Sequence, residues 1–219
     1  MTLTAVLFDL DGTLIDTAPD FAAVLNGMRR RRGLDDIPFQ RLHETVSDGA
    51  RALVELGFGV REGEAGFEAL RQELLADYAA QLSVRSRLYP GMDAVLDWLD
   101  RRALPWGVVT NKPELYAAPL LRDLRLDQRC GSLVCPDHVT HRKPHAEPIL
   151  RACAELGARA TDSVYVGDHR RDIEAGNNAG ATTVACHYGY IHAGDPVKGW
   201  GADYTIEQPL DLISLLEQL

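Results

Sequence analysis

The chain has 219 residues, with 23 Lys and Arg against 32 Asp and Glu, which gives a formal net charge of −9 at pH 7. This acidic balance disfavours nucleic acid and anionic membrane surfaces as partners. Hydrophobic residues make up 46% and charged residues 25%, which is ordinary for a globular protein that buries a core in one domain plus an insertion.

The first predicted element is a buried strand at residues 5–8, where the sequence is entirely apolar. Asp9 and Asp11 follow it two positions apart, and Gly12 and Thr13 come next. In an extended backbone, side chains at i and i+2 point the same way, so both carboxylates face one small volume. Two carboxylates in one pocket repel, which predicts a cation, a shared proton or a phosphoryl group there. The structural alternative is that Asp and Gly merely end the strand.

The next segment, residues 16–85, carries no strong strand signal. Its apolar residues recur at helical spacing, which predicts a helical insertion. The positions that show this spacing are Phe21, Val24, Leu25 and Met28, then Phe67, Leu70, Leu74 and Tyr78.

Helices and strands then alternate along the rest of the chain. A first helix carries Met92, Val95, Leu96 and Leu99 on one face. Strands are predicted near 106–110, 132–135, 163–167 and 182–185, with helices near 113–123, 146–157 and 170–179. This alternation predicts a parallel α/β sheet with right-handed crossovers.

Polar residues stand where several of these elements begin or end. Thr110 and Asn111 close the second strand, and Lys143 directly precedes a proline at a predicted helix start. Asp168 closes the strand at 163–167, and Asp172 follows four residues later. In this order and spacing, the segments resemble the four motifs of the phosphatases of the haloacid dehalogenase superfamily.

That resemblance spans nearly the whole chain and implies a fold. The core would be α/β, a Rossmann-like, doubly wound parallel sheet made of residues 1–15 and 86–219. Residues 16–85 would then be the inserted helical cap domain of this superfamily.

The resemblance also implies catalytic roles that suit the residue types. A carboxylate can attack phosphorus and form an aspartyl-phosphate, a role that falls to Asp9. Asp11 would protonate the leaving oxygen and later deprotonate the attacking water. Thr110 and Lys143 would hold the non-reacting phosphoryl oxygens, and Asn111 would contact the substrate.

A phosphate dianion does not approach clustered carboxylates without a compensating cation. Hard oxygen ligands favour Mg²⁺, which takes one or two carboxylates and keeps several waters. Asp9 and Asp168 are the expected side-chain ligands, with the Asp11 carbonyl as a third. Asp172 is expected outside these ligands, acting through water or orienting Lys143. The alternative for Asp172 is an acidic residue that complements its helix dipole.

The cap of this superfamily closes over the site, so its contacts would select the substrate. Ser47, Gly49 and Arg51 are the expected substrate-binding residues. Gly49 permits close approach, Ser47 can hydrogen-bond, and Arg51 can pair with a carboxylate. The alternative is that Ser47 or Asp48 simply caps a helix.

The whole chain resembles phosphoglycolate-phosphatase-like enzymes, and within them the N-acetylmuramic acid 6-phosphate phosphatases of cell-wall recycling. The segments that suggest the closer group are residues 46–51 and 135–140. The expected substrate is therefore N-acetylmuramic acid 6-phosphate, with 2-phosphoglycolate as the alternative. A phosphosugar mutase and a non-catalytic phospho-accepting binding module are further alternatives. A phospho-accepting receiver needs no second acid, so Asp11 argues against it.

The remaining chemistry-bearing residues are cysteines and histidines. The four cysteines form no Cys-x-x-Cys pair, which predicts reduced thiols in a cytoplasmic protein. Cys135, His138, His141 and His145 lie close enough in sequence to suggest zinc, but the prolines around Lys143 favour an exposed loop. No apolar run approaches the ~18 residues of a membrane span. We expect a monomer or homodimer with a small-molecule phosphomonoester as substrate, and no membrane or nucleic-acid partner.

Overall fold

The computed structural model describes residues 3–219, which form two compact units. The first unit comprises the described residues up to Asp16 together with Leu88–Leu219, and the second is Thr17–Arg87. The predicted boundaries, after residues 15 and 85, lie within two residues of these. The role of the second unit as a substrate cap stays a prediction.

The apolar run at residues 5–8 forms a strand near the centre of the sheet of the first unit. The strands are β1 (Ala5–Phe8), β2 (Ile15–Asp16), β3 (Arg87–Leu88), β4 (Trp106–Val109), β5 (Ser132–Val134), β6 (Ser163–Gly167), β7 (Thr182–Cys186) and β8 (Tyr204–Ile206). Six strands form a parallel sheet in the order β5-β4-β1-β6-β7-β8, while β2 and β3 form a separate two-stranded sheet. The strand order reverses beside β1, as in doubly wound folds. The predicted fold class is confirmed.

Every residue of β1 is buried, which explains why its sequence is continuously apolar rather than alternating. Leu7 pairs with Gly107 in β4 and with Tyr165 in β6. A Cβ atom on Gly107 would lie 2.9 Å from the backbone oxygen of Ser132. The missing side chain therefore allows β4 and β5 to approach closely.

The helices follow the strands as crossover connections in the first unit and make up most of the second. They are α1 (Ala18–Arg30), α2 (Phe39–Thr45), α3 (Gly49–Phe58), α4 (Phe67–Ala80), α5 (Met92–Arg101), α6 (Glu114–Asp123), α7 (Glu147–Glu155), α8 (Arg170–Ala179) and α9 (Asp211–Leu216). Ile149 and Cys153 of α7 and Ala175 of α8 pack against Leu7 and Tyr165 of the sheet. This packing fixes the start of α7 and α8 beside the strand ends.

In the second unit the predicted apolar faces meet each other. The rings of Phe21 in α1 and Tyr78 in α4 stack with centroids 3.9 Å apart and planes 7° from parallel. Asp20 is fully buried and accepts hydrogen bonds from the backbone N–H groups of Arg85 and Ser86 at 2.8 and 2.9 Å. A buried carboxylate thus ties the start of this unit to its end.

The predicted strands and helices of the first unit agree with the observed elements. Four short elements were not predicted, namely the two-residue strands β2 and β3, the three-residue strand β8 and the six-residue helix α9. Two of the three residues in β8 are exposed, so the strand shows no apolar run. No helix among residues 3–219 is long and apolar enough to cross a bilayer.

Candidate active site

Three neighbouring strands, β4, β1 and β6, each bring a polar residue to one edge of the sheet. Asp9 follows the end of β1, Thr110 follows β4, and Asp168 follows β6. All three side chains are buried, with Asp9 5% and Asp168 1% exposed. Because parallel strands end at the same edge, residues distant in sequence meet there.

Lys143 is the buried cation of this edge. Its Nζ lies 2.8 Å from Oδ1 of Asp9 and 2.7 Å from Oδ1 of Asp172. It also contacts the carbonyl oxygen of Val109 and the hydroxyl of Tyr165, each at 2.9 Å. Burial works to lower the pKa of Lys143, but the two carboxylates hold it above its usual value. The side chain therefore stays charged.

Asp168 is held by two donors of its own. The hydroxyl of Thr13 donates to Oδ1, and the backbone N–H of Tyr190 donates to Oδ2, both at 2.8 Å. A Cβ atom on Gly12, which has φ +87°, would meet the Asp168 carboxylate and lie 2.8 Å from the Tyr190 ring. Gly12 is thus required both for its left-handed backbone and for this close approach.

Asp172 combines a structural and an electrostatic contact. Its Oδ2 accepts the backbone N–H of His169 at 3.0 Å, and the His169 ring accepts the N–H of Arg171, which completes a capping box at the start of α8. Its Oδ1 faces Lys143. Burial works to raise the pKa of Asp172, but Lys143 and then Arg171 hold it below the usual value. The helix-terminal and functional interpretations of Asp172 are both compatible with this geometry.

Asp9 and Asp168 both have pKa values above the ordinary range of an aspartate. Burial, followed by the charge of Asp172, raises the pKa of Asp9 to about 6. Burial, followed by the charges of Asp9 and Asp172, raises the pKa of Asp168 to about 8. One carboxylate oxygen from each of these three residues lies within 4.8 Å of the others. Such a cluster of hard oxygen donors fits a divalent cation such as Mg²⁺.

Asp11 has a partner that sequence reasoning missed. Nζ of Lys112 lies 2.8 Å from Oδ1 of Asp11, and the two side chains are 6% and 18% exposed. The signal available in the sequence was a lysine directly after Thr110 and Asn111. The position of this lysine does not identify its partner, because Asp11 lies 101 positions earlier in the sequence.

Thr110 and Asn111 differ in how they are held. The Thr110 hydroxyl oxygen accepts the backbone N–H of Lys112 at 3.0 Å, which leaves its hydrogen to donate elsewhere. The amide of Asn111 donates to the carbonyl oxygen of Lys143 at 3.2 Å. Asn111 therefore braces the segment that carries Lys143, while its contact with substrate stays a prediction.

The predicted substrate residues of the insertion lie together in the second unit. Ser47 belongs to a short 3-10 turn, Val46–Asp48, and α3 begins at Gly49, whose φ is +78°. Asp48 occupies the N-cap position of α3, but its side chain makes no capping hydrogen bond. The Arg51 side chain is 66% exposed, and its Nη1 lies 3.7 Å from Oε2 of Glu62. The exposed guanidinium is available to an anionic ligand, and that contact remains a prediction.

The structure separates Cys135 and His138 from the other two residues that suggested zinc, His141 and His145. Cys135 is buried, and its backbone N–H donates to Nδ1 of His138 at 3.1 Å. Nε2 of His138 lies 3.2 Å from Glu114. All four cysteines are free thiols. In the described chain, Cys135 and His138 belong to no cluster of metal-ligating side chains.

Comparison with known proteins gives concordant results. The sequence model of the haloacid dehalogenase-like hydrolases matches residues 6–186. The chain is 46% identical to N-acetylmuramic acid 6-phosphate phosphatase of Pseudomonas aeruginosa, over 100% of this chain and 96% of that protein. It is 43% identical to phosphoglycolate phosphatase of Xanthomonas campestris pv. campestris, over 95% and 94%. The crystal structure of a predicted phosphoglycolate phosphatase from Haemophilus somnus is 25% identical, with a TM-score of 0.86 and 99% of both chains covered.

Proposed function

We propose that this chain, which belongs to the haloacid dehalogenase-like hydrolase family and is a phosphatase, hydrolyses N-acetylmuramic acid 6-phosphate through an aspartyl-phosphate. The proposed substrate rests on the 46% identity to an N-acetylmuramic acid 6-phosphate phosphatase over 100% of this chain. A second relative of the same name, from Pseudomonas putida, is 44% identical over 99% of the chain. The reaction would place the protein in peptidoglycan recycling.

Asp9 is the proposed nucleophile, and its contacts select the attacking oxygen. Oδ1 accepts the backbone N–H of Leu10 at 2.7 Å and faces Lys143. Since these contacts engage Oδ1, Oδ2 is the oxygen proposed to attack phosphorus. The new Asp9–phosphorus bond forms as the bond from phosphorus to the substrate oxygen breaks.

Asp11 is the proposed acid and base. It gives a proton to the leaving sugar oxygen, then takes a proton from the water that attacks the aspartyl-phosphate. Attack by this water releases inorganic phosphate and restores the Asp9 carboxylate. Lys112, 2.8 Å away, orients Asp11 between these two transfers.

Lys143 and Thr110 would balance and position the phosphoryl group. The Lys143 ammonium already pairs with Oδ1 of Asp9. It is therefore placed to stabilise the negative charge that develops on the phosphoryl oxygens during the reaction. The hydroxyl hydrogen of Thr110 supplies a donor from the neighbouring strand end.

Mg²⁺ fits the residues present, because Asp9 and Asp168 are hard-oxygen donors whose pKa values are raised by burial and by neighbouring carboxylates. When bound, the ion polarises the phosphoryl oxygens and offsets repulsion by the carboxylates. Asp9, Asp168 and the carbonyl of Asp11 would hold it. Both oxygens of Asp172 already have partners, so Asp172 would act by orienting Lys143.

The second candidate substrate is 2-phosphoglycolate. It is favoured by the 43% identity to a phosphoglycolate phosphatase over 95% of this chain. Both substrates carry a carboxylate, so Arg51 of the second unit would suit either one. They differ in bulk, which makes steady-state selectivity the deciding observation.

The test measures inorganic phosphate released by the purified protein with Mg²⁺, and compares kcat/KM for the two substrates. A strong preference for the amino-sugar phosphate supports the proposal, and a preference for phosphoglycolate replaces it by the second candidate. Asp9→Asn serves as the control, since it should abolish turnover without unfolding the protein. Turnover of Asp9→Asn at the wild-type rate would remove Asp9 as nucleophile. Release without a sugar bisphosphate activator separates the hydrolase from a mutase.

A further inference from the structure

A second cluster of metal-ligating side chains lies outside the acidic cluster, on the segment between β5 and α7. His141, His145 and Glu147 each offer one ligand atom, and these atoms lie within 4.8 Å of one another. The two imidazole rings have centroids 4.6 Å apart and planes inclined by 30°. The His141 side chain is 62% exposed, so an ion can reach the cluster from solvent.

Two of the three ligand atoms already have the separation that a bound ion requires. Nδ1 of His141 donates a hydrogen bond to Oε2 of Glu147 at 3.1 Å, and a bound ion would take the place of the proton in this hydrogen bond. In a tetrahedral zinc site with bonds of about 2.0 Å, neighbouring ligand atoms stand roughly 3.3 Å apart. The His145 ring is exposed to solvent, so no buried neighbour fixes its orientation.

Glu147 is held in place as a carboxylate. Its Oε1 accepts the backbone N–H of Thr140 and its Oε2 accepts that of His141, both at 2.9 Å. The first of these hydrogen bonds is the main cause that lowers the pKa of Glu147. Hydrogen bonds of this kind orient a ligand before the metal arrives.

His145 presents an unprotonated ring nitrogen. Its Nδ1 accepts the backbone N–H of Glu147 at 3.1 Å, which requires a lone pair on that atom. A neutral imidazole is the form that binds metals. Coordination through this nitrogen replaces one hydrogen bond at the start of α7, whose first N–H groups have no partner within the helix.

We propose that His141, His145 and Glu147 form a surface site for a divalent first-row transition metal of the Zn²⁺ class. Two imidazoles and one carboxylate suit zinc, whereas Mg²⁺ prefers oxygen ligands alone. The ligands flank Lys143 in sequence, so a bound ion would brace both ends of the segment that carries this lysine to the acidic cluster. The site is independent of the proposed substrate.

The test titrates untagged full-length protein with Zn²⁺ by calorimetry, in excess Mg²⁺, and uses Co²⁺ absorption as a probe of imidazole ligation. We expect one equivalent of Zn²⁺ per chain. His141→Ala and His145→Ala should each weaken binding on the order of tenfold or more, since loss of even an outer partner of a metal ligand costs that much. The exposed positions make these variants compatible with folding, which circular dichroism checks.

Two matched variants separate this site from its neighbours. His138→Ala removes a histidine of the same segment whose ring faces Glu114, and it should leave Zn²⁺ affinity unchanged. Asp168→Asn alters the acidic cluster and should also leave it unchanged. The proposal is overturned if the wild type binds no Zn²⁺, if the His141→Ala/His145→Ala double variant binds as the wild type does, or if either matched variant loses the ion. None of these outcomes bears on phosphate release.

Discussion

Replacing Lys143 by Met tests the central electrostatic claim about the acidic cluster. Nζ of Lys143 is 2.7 Å from Asp172, so the pair attracts by about 6 kcal/mol at an effective dielectric of 20. Much of this attraction offsets the cost of burying both charges. Removing one partner leaves the other charge uncompensated, which typically costs about 3–5 kcal/mol. For a chain of this size, that loss corresponds to a fall in Tm of roughly 6–20 °C.

The assay is urea and thermal unfolding at pH 8 with a chelator present, for Lys143→Met, Asp172→Asn and the double variant. Asp172→Asn removes a negative charge from the cluster, so it should rescue part of the damage done by Lys143→Met. We expect the double variant to be more stable than the sum of the single effects predicts, by about 1–3 kcal/mol. Lys198→Met, at an exposed lysine, is the control and should leave stability unchanged. Additive effects within error would refute the direct pairing of Lys143 with Asp172.

Three further variants test the protonation of Asp168, the acid–base role of Asp11 and the substrate contact of Arg51. Between the unfolded pKa of Asp168 near 3.8 and the folded value of about 8, the metal-free folded state binds more protons than the unfolded state, so stability falls as pH rises through this window. Asp168→Asn should flatten that dependence in chelator-treated thermal melts and be more stable than wild type at pH 9; an unchanged slope would contradict the assignment. Lys112→Met should lower kcat for phosphate release roughly tenfold, a part of the acid–base contribution of Asp11, while wild-type kcat would show that the Lys112 contact is dispensable. Arg51→Ala should raise KM more than it lowers kcat in the same assay, and an unchanged KM would exclude a substrate contact.

The backbone framework of the site could be predicted because its signals are local. Asp9 and Asp168 each follow an apolar strand, and strand ends of a parallel sheet meet at one edge. The contact between Lys112 and Asp11 could not be predicted, because it depends on the direction of two side chains 101 positions apart. Likewise, Cys135 and His138 looked like zinc ligands by spacing, yet local hydrogen bonds turn them to other partners.

Lysine itself is informative in this chain. Its lysines are Lys112, Lys143 and Lys198, and the first two pair with Asp11 and Asp9 beside the end of β1. Nζ of Lys143 has four oxygen neighbours between 2.7 and 2.9 Å, a geometry that suits a compact ammonium. The planar, larger guanidinium of arginine would not fit the same fully buried space. We therefore expect the Lys143→Arg variant to be less stable than the wild-type protein.

The four-residue spacing of Asp168 and Asp172 follows from backbone geometry. Asp168 stands at the end of β6, and α8 begins two residues later, with Asp172 as its third residue. Side chains in the first turn of a helix lean toward its N-terminus, so the Asp172 carboxylate points back at the strand end and reaches His169 N–H and Lys143. One position earlier or later would rotate the side chain by about 100° around the helix and break both contacts. The spacing of the motif thus lets one carboxylate stand at the strand end while the other caps α8 and pairs with Lys143, so that both lie in the same acidic cluster.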